Sequence, residues 1–237
     1  MPIDNALAEL EQISPGTCII LPGKEYTDYS YPDLLVSGFK RYKTYSWNKT
    51  HELLAEENSS MLTPRQFIDF LLLLKSSEKI YDGNGKEASS QMIEYITNEI
   101  DKKENRWRGE YLDIKFRKLN NEWLIDYNHR FVDKKLIANN SEKLYNYTLK
   151  SKGYVSLFTF TMQGLPQFNT KTNSPQKRNS RSDYSWLYSE CETFFLPMTK
   201  DSVASFANGP NGPIFGCDWN PIYEKYGFGV RPAKIKD

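Results

Sequence analysis

The chain has 237 residues, a length that fits one large domain or two small ones, and no linker divides it near the middle. Its 31 Lys and Arg residues balance 30 Asp and Glu residues, and this balance excludes the strongly basic composition typical of proteins that bind nucleic acid or anionic membranes. Three cysteines are too few for a disulfide framework. A Cys191–Cys217 bridge stays open beside the alternative that each cysteine is a buried free thiol.

The N-terminal third carries weak signals. Residues 5–13 favour a short helix that ends at Pro15 and Gly16, and residues 17–21 favour a strand. Residues 1–13 contain acidic side chains and lack the continuous apolar core of a signal peptide. The tyrosine-rich residues 26–47 show no clear period, and we expect irregular structure there.

Two helices are clearly predicted in the next segment. Thr63 is a candidate N-cap, Pro64 suits the first helical position, and apolar residues recur until about Ser76. Residues 82–85 (Asp-Gly-Asn-Gly) then predict a turn. Ser89 or Ser90 caps a second helix, in which apolar side chains recur at helical spacing up to Ile100.

The period then changes to that of strands. Residues 111–119 alternate, with apolar side chains on one face, Asn120 and Asn121 predict a turn, and residues 123–127 return as the partner strand. Residues 155–160 predict another strand. Residues 167–183 hold few large apolar residues and predict a loop. Helices followed by short strands and loops predict an α+β fold, which we expect to form one domain over residues 1–237.

Residues 202–233 alternate apolar anchors with small, polar or aromatic residues. This alternation predicts strands with one buried face and one face that is free to vary. Glycines and prolines between Gly209 and Gly229 predict that much of the segment is ordered loop, the usual location of binding surfaces. An ordinary terminal hairpin without any binding role accounts for the pattern equally well.

Several motifs in this region resemble a known family. They are Ser202-Val203-Ala204-Ser205-Phe206, the Phe215-x-Cys217-x-x-x-Pro221 stretch and the Gly229-Val230-Arg231-Pro232 close, preceded by Phe194-Phe195-Leu196-Pro197. Together they are similar to the variable region of archaeal diversity-generating retroelement proteins. In that family an error-prone reverse transcriptase rewrites adenine-templated codons, and a C-type lectin fold displays the product. The resemblance extends, less specifically, over residues 62–233, whereas residues 1–61 match nothing that we recognise.

The resemblance implies a receptor-like display protein and not an enzyme. Its framework would be Val203, Phe206, Phe215, Cys217, Phe228, Val230 and Arg231. Its ligand-binding positions would be Ser205, Ala207, Gly209, Asn211, Gly212, Ile214, Gly216, Asp218, Trp219, Ile222, Tyr223 and Tyr226. All of these except Trp219 are reachable from an Asn codon whose two adenines are randomised. Among them we expect Ala207, Asn211, Ile214, Tyr223 and Tyr226 to be exposed on one surface.

Catalytic and metal-binding motifs are sparse, and we expect no cofactor and no metal. His51 and His129 are the two histidines, and neither shows the spacing of a metal-binding pair. A hydrogen-bonded structural role is the more common one for such a histidine. No phosphate-binding glycine loop and no Gly-x-Ser-x-Gly motif occurs.

Two other functions remain as alternatives. Gly229-Val230-Arg231-Pro232 is similar to the end of formylglycine-generating enzymes, but such an oxidase would need two convergent, accessible thiols. Asp218-Trp219-Asn220-Pro221 is superficially similar to the calcium cluster of sugar-binding lectins, although its residue order differs. We expect no calcium requirement, because few carboxylates accompany Asp218.

The expected partner is a protein or glycan on another cell or a virus, bound by a monomer at a cell surface or on a virion. Nucleic acid is not expected, because the basic residues between Lys171 and Arg181 are few and have little aromatic company. The longest apolar run, residues 70–74, is too short to cross a bilayer, so we expect no membrane insertion.

Overall fold

The computed structural model describes residues 14–101, 109–144, 153–156, 160–166, 192–198, 200–209, 212–224 and 228–236. Within them the chain is a mixed α and β protein, compatible with the predicted α+β class. Its helices are α1 (Trp47–Glu56), α2 (Pro64–Lys75) and α3 (Ser90–Asp101). The predicted helix at residues 5–13 and the predicted loop at residues 167–183 lie outside the described residues.

The strands form three sheets within the described residues. Those of the N-terminal region are β1 (Cys18–Leu21), β2 (Lys24–Glu25), β3 (Ser30–Tyr31), β4 (Leu34–Ser37) and β5 (Ser60–Met61). The central strands are β6 (Gly109–Leu119), β7 (Glu122–Val132), β8 (Lys135–Lys143) and β9 (Gly153–Ser156). The C-terminal strands are β10 (Glu192–Leu196), β11 (Ser202–Gly209), β12 (Gly212–Trp219), β13 (Phe228–Gly229) and β14 (Pro232–Ile235).

The large sheet has the strand order β8-β7-β6-β11-β12-β10-β9, with β13 added beside β6. A smaller sheet has the order β1-β4-β14-β5, and β2 pairs with β3. The pairs are antiparallel except β10 with β12 and β13 with β6, which are parallel. Because β13 and β14 follow each other, the end of the chain joins the large sheet to the small one.

The two helices predicted after residue 62 are confirmed as α2 and α3, and their caps explain where they begin. The Thr63 hydroxyl accepts a hydrogen bond from the Gln66 backbone N–H, and the Gln66 side chain accepts one from the Thr63 N–H. This reciprocal capping box, with Pro64 at the first position, is a strong start signal. The Ser89 hydroxyl accepts from the Met92 backbone N–H at the start of α3.

The predicted hairpin is also confirmed. Strands β6 and β7 pair in antiparallel register up to Leu119 and Glu122. Asn120 and Asn121 between them have φ angles of 49° and 65°. Asparagine tolerates this left-handed conformation better than other residues with a side chain, and two such residues match the twist of a tight hairpin.

Two expectations for the N-terminal half are wrong. Residues 26–47 are not irregular throughout, because β3 and β4 form there. Helix α1 was not predicted, because two of the four side chains on its buried face are the polar Thr50 and His51, beside Trp47 and Leu54. A polar residue on a buried face hides the helical period from a hydrophobicity pattern.

The tyrosine-rich segment is held against α2 by one carboxylate. Asp69 is 2% exposed and accepts hydrogen bonds from the hydroxyl groups of Tyr26 and Tyr31, at 2.8 and 2.7 Å. Arg65 of the same helix pairs with this carboxylate at 2.9 Å. A buried carboxylate with this many donors is well compensated for its lost hydration.

Arg231 is the most heavily bonded side chain at the junction of the two sheets. Its guanidinium is 1% exposed and donates to Glu110 of β6 at 2.8 Å and to Glu99 of α3 at 3.0 Å. It also donates to the carbonyl oxygens of Ser37, the last residue of β4, and of Gly38, the residue after it, at 3.2 and 2.7 Å. One buried cation thus holds the chain end, a helix and both sheets together.

Replacing this cation should destabilise the protein strongly. Arg231→Met leaves Glu110 buried without its partner, and breaking a buried pair costs about 3–5 kcal/mol of unfolding free energy. Arg231→Lys should also destabilise, because an ammonium group cannot make the forked contact. Lys79→Met, which breaks an exposed pair with Glu87, is the control and should leave the urea midpoint unchanged. Equal midpoints for Arg231→Met and Lys79→Met would contradict this role.

Candidate functional site

The predicted framework of the C-terminal segment is confirmed as buried. Each of the predicted side chains has 2% exposure or less: Val203, Phe206, Phe215, Cys217, Phe228, Val230 and Arg231. Cys18 and Cys217 are buried free thiols, and Cys191 lies outside the described residues. Burial raises the pKa of Cys217 well above its usual value, which disfavours the thiolate that a formylglycine-type site would need there.

Strand β11 corrects the predicted display surface. Ser205 and Ala207 were expected to project outward, but they are 0% and 5% exposed. The reason is the position of β11 inside the large sheet, between β6 and β12, with side chains packed on both faces. Phe206 packs into the main core, whereas Ala207 packs into a second cluster around Trp47. Alternation in sequence therefore marks two different buried faces, not one buried and one free face.

Gly216 is buried as well, and its lack of a side chain leaves room for the indole ring of Trp219. A Cβ atom at this position would lie 2.9 Å from the indole nitrogen of Trp219. Any larger residue would push this ring from its place against Phe228, where the ring centroids are 5.0 Å apart. Gly216 is thus better explained by the packing of Trp219 than by ligand contact.

The remaining predicted positions divide into four groups. Asp218, Ile222 and Tyr223 are exposed, the last two by 63% and 67%. Ile214 and Trp219 are half-buried. The backbone of Gly209 and Gly212 closes the β11–β12 hairpin, whereas Asn211 and Tyr226 lie outside the described residues. The exposed members lie in residues 218–224, which we call the C-terminal loop.

The backbone of the C-terminal loop is held by hydrogen bonds. The Asn48 N–H at the start of α1 donates to the Pro221 carbonyl at 3.2 Å. The Tyr111 hydroxyl of β6 donates to the Tyr223 carbonyl at 3.5 Å. Within the loop, the Asn220 side-chain oxygen accepts from the Ile222 N–H at 3.1 Å. Two large apolar side chains are therefore presented to solvent from an anchored backbone.

A buried polar cluster lies near this loop and was not predicted from the sequence. His51 of α1, Asp113 of β6 and His129 of β7 come together, and their exposures are 4%, 1% and 9%. Asp113 Oδ1 lies 2.5 Å from His129 Nδ1 and 3.5 Å from His51 Nε2. Neither histidine has a metal-like spacing in sequence, because the three residues come from three separate elements.

The surroundings of this cluster fix its rings. The indole of Trp47 packs edge-on against His51 and His129, with ring centroids 4.3 and 5.0 Å apart. Its N–H donates to the Leu112 carbonyl at 2.9 Å. Burial lowers the pKa of His51 to about 4, against the opposing effect of Asp113, so the ring is neutral at pH 7.

His129 also borders an open groove with a volume of about 420 Å³. The groove lies on the face of β6, β7 and β8 that carries both charged and apolar side chains. Arg117 and Asp126 form an ion pair in this groove. The other lining residues are Asn48, Lys115, Phe131, Leu136 and Ala138. The cluster is therefore buried but lies directly beneath an accessible surface.

Comparison with known proteins gives no relative. No protein-family model, no curated protein and no solved structure matches the chain. Within the described residues, no helix has both the length and the apolar character to cross a bilayer.

The burial pattern predicts that one substitution in this segment lowers stability strongly and that another hardly changes it. Phe215 is fully buried, with its ring 5.4 Å from that of Phe160, so Phe215→Ala should lower the unfolding free energy by about 3–5 kcal/mol. Tyr223→Ala removes an exposed ring and should leave the thermal midpoint almost unchanged. Calorimetry of both variants checks this. A larger loss for Tyr223→Ala would show that the loop side chain is part of the core.

Proposed function

We propose that this protein is a non-catalytic binding protein that recognises a macromolecular ligand through its C-terminal loop. The observation that carries the proposal is the exposure of Ile222 and Tyr223 on an anchored backbone. Adjacent exposed apolar and aromatic side chains are the usual anchors of protein interfaces. Because the loop backbone is already held, little conformational entropy would be lost on binding.

The chemistry of the loop favours a protein ligand. Ile222 offers an apolar side chain, and Tyr223 combines a large ring with a polar hydroxyl. Asp218 adds a carboxylate at the exposed end of β12. Trp219 lies half-buried between them and packs on Phe228, so it would supply the floor of the contact and not its tip. A glycan ligand is the alternative that the binding experiment distinguishes.

We further propose that the domain is a C-type lectin-type fold diversified by a retroelement. Support comes from the motif resemblance and from the burial of every residue of the proposed framework. The two paired strands β11 and β12 would carry the framework, and the variation would lie on Ile214, at the end of β12 and in the residues that follow it. The set of variable positions narrows accordingly. It keeps Ile214, Asp218, Trp219, Ile222 and Tyr223 and drops the buried Ser205, Ala207 and Gly216.

A pair of surface-displayed libraries tests this function. In the first library, Asp218, Ile222 and Tyr223 are randomised, and we expect most members to stay folded, because these side chains contribute little to the core. In the second library, Ser205, Ala207 and Gly216 are randomised, and we expect most members to unfold, since additional atoms would enter packed space. Folding is measured as resistance to protease.

Selection of the first library against a panel of purified proteins and glycans measures recognition itself. A control library randomises Lys135 and Ile137, which are also exposed but lie on strand β8. Protein binders should arise from the loop library at a much higher frequency than from the control. Enrichment of glycan binders alone would show that the ligand class is glycan and not protein. Equal enrichment in both libraries would contradict a dedicated recognition loop.

A further inference from the structure

The cluster of His51, Asp113 and His129 is not used by the proposed recognition loop, although it holds both histidines of the chain. Each residue offers one ligand atom, and these atoms lie within 4.8 Å of one another. Two imidazoles and one carboxylate are the donors that zinc takes in sites with three protein ligands. We infer that this cluster is a binding site for one divalent transition-metal ion of the zinc type.

The spacing of the donors is close to what such an ion requires. Donor atoms bound to one zinc at about 2.0–2.2 Å lie about 3–3.5 Å from each other. The 3.5 Å between His51 Nε2 and Asp113 Oδ1 already meets this requirement. The 2.5 Å between His129 Nδ1 and Asp113 Oδ1 is a hydrogen-bond distance. The ion would replace the proton between these two atoms, and the distance between them would increase by about 1 Å.

An unpaired buried nitrogen is the second, independent observation. His51 Nε2 is buried and makes no hydrogen bond with any described residue. Buried polar side-chain atoms nearly always have a partner, so an exception calls for an explanation. This nitrogen lies 3.5 Å from Asp113 Oδ1 but forms no hydrogen bond with it. A metal ion between the two would supply the missing partner.

The outer contacts orient the donors. Asp113 Oδ2 accepts a hydrogen bond from the His129 backbone N–H at 2.9 Å, which turns Oδ1 towards the two imidazoles. The edge contacts of Trp47 limit rotation of both rings. Carboxylates and imidazoles that bind metals are typically held by such outer contacts.

The position of the cluster determines how an ion could reach it and which elements the bound ion would connect. His129 borders the open groove, so an ion can enter from solvent and a water molecule can occupy its fourth position. The ligands come from α1, β6 and β7, and one ion would tie the helix to the sheet. Asn48 of α1 supports the C-terminal loop through Pro221. Metal binding would thus stabilise the helix that contacts the C-terminal loop.

Zinc titration of the untagged, metal-free chain tests the site. Only two imidazoles exist, so nitrogen NMR of histidine reports on the site without mutation. We expect one equivalent of zinc to shift the signals of both histidines together and to raise the thermal midpoint by several degrees in excess metal. A shift of one histidine alone, or an unchanged midpoint, would overturn the assignment.

Matched variants and a second cation show whether the zinc response is specific to this cluster. His51→Gln should abolish the zinc-induced rise, whereas Lys79→Met, which breaks only an exposed ion pair, should retain it. If His51→Gln does not fold, the NMR titration of the unmodified chain decides alone. Calcium should change neither signal, because hard cations prefer oxygen donors. An equal response to calcium, or a zinc response retained in a folded His51→Gln variant, would contradict the proposed site.

Discussion

The structure depends on one buried cation at the junction of its two main sheets. Arg231 can remain charged in the interior only if its donors are all satisfied, since an unpaired buried charge is far more costly than a buried apolar group. Glu110 and Glu99 accept some of these hydrogen bonds, and two carbonyl groups at the end of β4 accept the others. Satisfying all of these contacts at once sets the path of the chain from β13 to β14. The C-terminal loop lies beside α1, where the Asn48 N–H donates to the Pro221 carbonyl.

Local signals made about half of this architecture predictable. Thr63 and Ser89 reveal the starts of two helices, and Asn120 with Asn121 reveals a hairpin, because each signal lies within a few residues of the element it controls. Helix α1 was not predicted, because the polar His51 lies on its buried face and interrupts the apolar pattern. The function of that histidine could not be read from sequence, since its neighbours come from distant strands.

The C-terminal segment shows how alternation can mislead. A period of two in sequence gives two faces to a strand, but it does not tell whether the second face meets solvent or another layer. In β11 the second face meets the cluster around Trp47, and Ala207 is buried there. The residues that do reach solvent, Ile222 and Tyr223, follow the end of β12, where no layer formed by the described residues covers them. The C-terminal loop and the histidine cluster are linked physically through α1, which contacts the loop at Asn48 and contributes His51 to the cluster.

The central claim is that sequence variation in residues 202–233 avoids the buried framework, and the genomic DNA beside the coding sequence tests it most directly. An adenine-rich near-copy of the codons for residues 202–233 should be found there. Its mismatches with the coding segment should fall at positions such as Asp218, Ile222 and Tyr223, and it should agree at the codons of Phe206, Phe215 and Arg231. Absence of such a copy, or mismatches spread evenly over buried and exposed positions, would contradict the account.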